Sequence, residues 1–177
     1  MNLAIPEFSL VLLIGPSGCG KSTFAARHFR DTEIVSSDRC RAMLTDDEND
    51  QSVNREAFGL LHRIVTERLS RGRLTVIDAT NVRAESRASL ISLARAHDAP
   101  LVAIVMSLPE ALCRQRNQQR AARQVPADII HEQCTDLQAS LATLAKEGFQ
   151  HVYFLAGVAE MDAAVIIRQP DEHAPCP

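Results

Sequence analysis

The chain has 177 residues, 46% of them hydrophobic and 23% charged, so it is long enough to bury a full core in one domain of ordinary size without staples. Aromatic residues make up only 4%, tryptophan is absent and the formal net charge is −3, which excludes the aromatic, basic surface by which general single-strand nucleic-acid binders track a long strand. No apolar run approaches the roughly 18 residues of a membrane helix and the start MNLAIPEF lacks a basic n-region, so a cytoplasmic protein without membrane association is expected.

Apolar runs of strand length alternate with longer stretches of helical period, the signature of an α/β fold with a parallel sheet and helices on both faces. In chain order, strands are expected over residues 9–14, 33–36, 74–78, 101–106, 151–155 and 164–167. Between them, residues 53–69 carry Val53, Ala57, Phe58, Leu60, Leu61, Ile64, Val65 and Leu69 at helical spacing, with Arg55, Arg63 and Arg68 on the wet side. Residues 84–97, 109 to about 120 and 126–146 have the same period, and Gly72 and Gly148 fall where helices need a stop. The polar acidic segment 45–52 (TDDENDQS) is a connection. Residues 1–170 are expected to form the domain, and residues 171–177, rich in proline without apolar period, a linker stub. The cysteines Cys19, Cys40, Cys113, Cys134 and Cys176 are odd in number and never spaced as CxxC, which argues for reduced thiols and against a disulfide framework or zinc knuckle.

Directly after the first of these strands comes Gly15-Pro16-Ser17-Gly18-Cys19-Gly20-Lys21-Ser22-Thr23, a full match to GxxxxGK[ST] in the strand–loop–helix context the motif needs. Glycines let backbone N–H groups turn inward around a phosphate chain, and the following helix N-terminus favours an anion. Lys21 suits the β- and γ-phosphates of ATP or another NTP, and the Ser22 hydroxyl suits Mg²⁺. No NKxD or TKxD tetrapeptide follows, so a kinase is favoured over a GTP switch. The strand 74–78 ends in Asp78, which either orients the magnesium, directly or through water, or caps the turn Ala79-Thr80-Asn81.

A second carboxylate, Asp38, closes the strand at Ser36-Ser37 and shares a helical face with Arg41 if a helix begins there. Beside the phosphate loop it can accept the proton of an attacking hydroxyl; the alternative is that Ser37 or Asp38 caps the next helix. On a continuous helix Arg116, Arg120 and Arg123 fall within about 60° of one another while Arg114 points away. Such a stripe suits the lid of a phosphoryl transferase, or else is a solvated basic face. The cluster Asp46-Asp47-Glu48 lines an acceptor site or is a solvated loop.

Taken in order and spacing, IPEFSLVLLIGPSGCGKST, VSSDRCR, TDDENDQ, LTVIDATN and RNQQRAARQV resemble the kinase module of bacterial polynucleotide kinase-phosphatase of RNA repair, over about residues 1–170. The resemblance implies a P-loop kinase fold with an arginine-bearing lid, and transfer of the γ-phosphoryl of an NTP to a 5′-OH end of RNA or DNA. By it, Lys21 and Ser22 serve phosphate and magnesium, Asp38 is the general base and Arg41 a substrate clamp. Arg116 and Arg123, with Arg120 less firmly placed, contact phosphates from the lid. It also implies covalently linked phosphatase and nucleotidyltransferase modules in a longer chain. Cys19 departs from the small residue, such as serine, usual at its position, which puts a thiol open to modification into the loop. A kinase of a small hydroxyl compound would use the same loop, base and lid, and a non-catalytic ATP-binding regulatory module would share the loop.

Overall fold

The computed structural model describes residues 1–120 and 124–170. Five parallel strands form the central sheet in the order β3 (Ile34–Ser36), β4 (Thr75–Asp78), β2 (Leu10–Ile14), β5 (Leu101–Met106), β6 (His151–Leu155). β2, β4 and β5 read as continuous apolar runs because both faces are covered, and every residue of β2 and β5 is buried. Successive side chains alternate between the faces. Leu10, Leu12, Ile14, Ala103 and Val105 meet Ala57, Leu61 and Val65 of α3 (Asn54–Leu69) and Leu90, Ile91 and Ala94 of α4 (Ala84–Ala96). Val11, Leu13, Val102 and Ile104 face the other way, toward Phe24 and Ala25 of α1 (Lys21–His28), Cys113 of α5 (Glu110–Gln118) and Ile130 of α6 (Ala127–Leu144).

The strands expected over 101–106 and 151–155 match β5 and β6 end to end, and the remaining predicted strands and helices shift by one or two residues at an end. Outside the sequence expectation lie two short 3-10 turns, Asp31–Glu33 and Gln51–Val53, together with a strand and a short helix. β1 (Asn2–Pro6) pairs in parallel with β7 (Val165–Gln169) as a separate ribbon, and α7 (Val158–Asp162) is a short turn of helix after β6. The ribbon is stitched to the main sheet by Tyr153, whose hydroxyl donates to Ala4 O and accepts from Ala4 N, each at 2.9 Å. Leu3 and Ile5 are fully buried beneath it, each contributing about 1.5–3 kcal/mol.

The strand order places the site. The chain adds β3 and β4 on one side of β2, then β5 and β6 on the other, so the sheet's growth reverses at β2, and ligands of open α/β sheets sit outside the carboxyl ends at such a point. Register sets Leu13, Asp78 and Ser36 level across β2, β4 and β3.

Candidate active site

The loop leaving β2 takes its shape from two glycines. Gly18 (φ +84°) and Gly20 (φ +102°) adopt left-handed backbone, and a Cβ on Gly18 would stand 2.2 Å from Cys113 O. Gly20 is also the N-cap of α1, so the loop feeds directly into a helix N-terminus. Lys21 is buried and its ammonium donates to Gly15 O at 2.8 Å and Pro16 O at 2.9 Å. Gly15 N in turn donates to Thr80 O, and the buried Asn81 carboxamide donates to Leu13 O at 2.9 Å. The segment after β4 is thus a buttress for the loop, a role the sequence motif DATN does not reveal by itself.

Asp78 lines the same cavity as Lys21 and Ser22, and the Ser22 hydroxyl is among the groups that act on its carboxyl. Burial pushes its carboxyl above the ordinary range; the Ser22 bond and Lys21 draw it back, Asp38 raises it and Arg120 lowers it. Ser36, with extended backbone, is the N-cap of α2 (Ser37–Thr45), accepting from Arg39 N at 3.4 Å. Neither Ser37 nor Asp38 caps that helix. Asp38, in its first turn, pairs with Arg41, whose guanidinium is buried and also donates to Asn54 Oδ1 at 3.2 Å and Glu48 O at 3.4 Å. β4 lies between β3 and β2, so it is Asp78 that neighbours the loop, with Asp38 one strand further out.

One cavity of about 520 Å³ gathers Ser17, Lys21, Ser22, Asp38, Arg41, Asp78 and Arg120, closed on the far side by Asn54 and Phe58 of α3 and Ile129 and Gln133 of α6. The side chains of Asp46, Asp47 and Glu48 are not in its lining, although Asn49 and Gln51 are. Asp47 instead caps its own loop, accepting from Asn49 N at 2.9 Å. A second cavity of about 300 Å³ opens on the other side of the loop between Gly18, Gly20 and Thr23, Arg116 and Arg120, and Val158, Met161 and Asp162. Nothing in the sequence pattern pointed to α7 as a wall of this cavity.

The arginine stripe needs correction. α5 stops at Gln118, so Arg120 lies beyond the helix and no common face with Arg116 is built. The buried Asn117 is the cause: its carboxamide donates to Val125 O at 2.8 Å and accepts from Val125 N at 3.0 Å, folding the chain back before Pro126 starts α6. Arg116 and Arg120 nonetheless both reach the second cavity, and Arg120 reaches the first as well. Arg123 lies outside the described residues. Arg114 faces away from both cavities, pairing with Glu110 at 2.9 Å and donating to Ala127 O at 3.1 Å.

Cys19 is also corrected as a modification site. It is fully buried behind the loop, with its sulfur 3.8 Å from the Lys21 ammonium, where reagents have no access. Burial, with Cys19 and Cys134 adjoining, pushes the neighbouring Cys113 thiol up to about 12.

The donor set suits magnesium. Ser22 and Asp78 offer hard oxygens side by side, and among the described residues no cluster of three or more His, Cys, Asp or Glu could cage a metal alone. Magnesium is characteristically held by one or two protein oxygens plus phosphate oxygens and water. Among the described residues, no helix is long and apolar enough to cross a membrane.

Comparison with known proteins agrees with this architecture. A chain in the structure of the Pnkp1/Rnl/Hen1 RNA repair complex superposes with a TM-score of 0.67 at 24% identity, over 77% of this chain and 46% of that one. Shikimate kinase from Acinetobacter baumannii superposes with a TM-score of 0.53 at 20% identity, over 88% of both chains. The fold is therefore that of P-loop kinases. Transcription factor bHLH140 of Arabidopsis thaliana is 30% identical over 163 residues, which are 88% of this chain but 17% of the plant protein. The chain thus spans less than half the length of these first two relatives, the RNA-repair chain and the plant protein. Residues 10–144, well over half the sequence, match the family model described as AAA domain, and the chain belongs to that family.

Proposed function

We propose that the protein transfers the γ-phosphoryl of ATP or another NTP to the 5′-hydroxyl end of RNA or DNA. The observation that carries this reading is the shared cavity, in which the phosphate loop residues Lys21 and Ser22 face the Asp38–Arg41 pair across a space of about 520 Å³. The triphosphate lies along the loop, its nucleoside end in the cavity lined by Thr23, Arg116 and Met161 and its γ end toward Asp38.

In the reaction, Lys21 exchanges its two carbonyl partners for phosphoryl oxygens, and the loop N–H groups hold the remainder. Asp38 accepts the proton of the acceptor hydroxyl as its oxygen bonds to the γ-phosphorus; the bond from that phosphorus to the β,γ-bridging oxygen breaks and the diphosphate leaves. Arg41, fixed by Asn54, orients Asp38 and holds the acceptor's first phosphodiester. Arg120, which reaches both cavities, with Arg123 as the resemblance implies, neutralises charge on the moving phosphoryl, and Arg116 contacts the phosphates from the nucleoside side. Ser22 and Asp78 would hold Mg²⁺, which when bound supplies positive charge to the β- and γ-oxygens.

The likeness to the RNA-repair chain supports the polynucleotide acceptor, while linked phosphatase and nucleotidyltransferase modules in the full protein are what the sequence resemblance implies. The equal coverage of shikimate kinase keeps a small hydroxyl compound as the second reading. The deciding experiment is transfer of labelled γ-phosphate to a 5′-OH oligonucleotide. Labelled product establishes the first reading; transfer only to a small hydroxyl compound establishes the second; nucleotide binding without transfer to either makes the chain a regulatory module.

A further inference from the structure

The loop's backbone N–H groups are phosphate donors, yet one of them is already engaged. Ser17 N donates to Oε1 of Gln133 at 2.7 Å, a contact between residues 116 apart in sequence. A backbone N–H carries a single hydrogen, so a phosphoryl oxygen binding there must displace the glutamine. Which part of the donor would do so follows from the two cavities. Ser17 lines the one that holds Asp38 and Arg41, whereas Gly18, Gly20 and Thr23 line the nucleoside side, so Ser17 meets the transferring end of a triphosphate. A diphosphate ends short of it. Gln133 is also held in place to compete: Glu132 and Asp136, flanking it on α6, both pair with Arg83 at the start of α4.

We infer that Gln133 is a positioning residue that sets the balance between triphosphate and diphosphate in this site, an inference that rests on the proposed donor reading. Its carboxamide oxygen holds Ser17 N–H when no γ-phosphoryl is present, is displaced when a triphosphate binds, and returns after transfer, when a diphosphate remains. The triphosphate therefore gives up one protein–protein hydrogen bond on binding that the diphosphate keeps.

The test is calorimetric titration of the protein and its Gln133 variants with AMPPNP, a non-hydrolysable ATP analogue, and with ADP. Alanine is well tolerated in a helix, and Gln133→Ala removes the competing oxygen, so AMPPNP should bind about two- to tenfold more tightly, the worth of one ordinary hydrogen bond. ADP affinity should not change. Gln133→Glu keeps an oxygen on Ser17 N–H and adds negative charge, so it should weaken AMPPNP more than ADP, and it serves as a test if the alanine variant does not fold. Equal shifts for both nucleotides, or weaker AMPPNP binding to Gln133→Ala, would overturn the inference. Failure of the unaltered protein to bind either nucleotide would instead refute the donor reading on which it rests.

Discussion

Asp38 and Asp78 are carboxylates in one cavity, but their surroundings give them different work. Asp38 stands in the first turn of α2 with Arg41 against it, while the cap is supplied by Ser36. Asp38→Asn keeps the size and hydrogen-bonding capacity but cannot take a proton, so turnover should fall about 10²- to 10⁴-fold with Tm little changed. Rate and melting measured on the same preparation check both halves. Asp78 is buried, and its raised pKa means the folded protein binds a proton more readily than the unfolded chain. Such a group contributes stability that is complete below the unfolded pKa and lost as pH rises through the folded one. Asp78→Asn should therefore raise the Tm of the nucleotide-free protein at pH 7, and the gain should vanish below about pH 3, where the carboxyl is protonated in both states. The same variant should lose activity, since the Asp78 carboxyl shares the cavity with Lys21 and Ser22.

At the scale of elements, the loop buttress is held by a buried polar group. Arg87 of α4 is fully buried and grips both Glu147 oxygens, at 2.7 and 2.5 Å, while donating to Asn81 O at 2.7 Å and Val82 O at 3.1 Å. It thus joins the segment behind the phosphate loop to the chain just past α6. Removing one partner of a buried pair strands the other, so Arg87→Met should cost about 3–5 kcal/mol in urea unfolding, and adding Glu147→Leu should recover part of the loss. The lid makes a contrasting pair. Arg116 reaches the smaller cavity beside the phosphate loop and Arg114 does not, so Arg116→Ala should depress turnover at least tenfold, whereas Arg114→Ala should leave it nearly unchanged. Steady-state kinetics of the two variants decides this; equal losses would place both arginines in the lid's work.

For the whole molecule, net charge and aromatic content bound how a polynucleotide is gripped. With a formal charge of −3 and 4% aromatics, the proposed acceptor site is confined to Arg41 and its neighbours in the cavity. A grip on one to three phosphates of a single strand gives a slope of log K against log salt between roughly −0.7 and −2. KM for 5′-OH oligomers should then level off within about six nucleotides, since each further phosphate lies beyond the clamp. A KM that keeps falling with length, with a steep salt slope, would reveal a basic track elsewhere on the surface.

What the sequence determined by itself is local or strictly periodic. The apolar runs at β2, β4 and β5 could only be strands buried on both faces, and GPSGCGKST could only be a strand–loop–helix turn, because its glycines and its lysine act within a few residues of one another. Asp38 and Arg41 were legible for the same reason, being neighbours on one helical turn. The rest depended on contacts between distant segments. β1 is a five-residue strand whose partner β7 comes from the other end of the domain, so its weak pattern of alternating burial means little until that pairing exists. The arginine stripe failed because Asn117 binds Val125 and ends the helix, a tertiary choice that helical periodicity cannot register. Gln133 meets Ser17 across 116 residues, and such a contact exists only once α6 has packed over the phosphate loop.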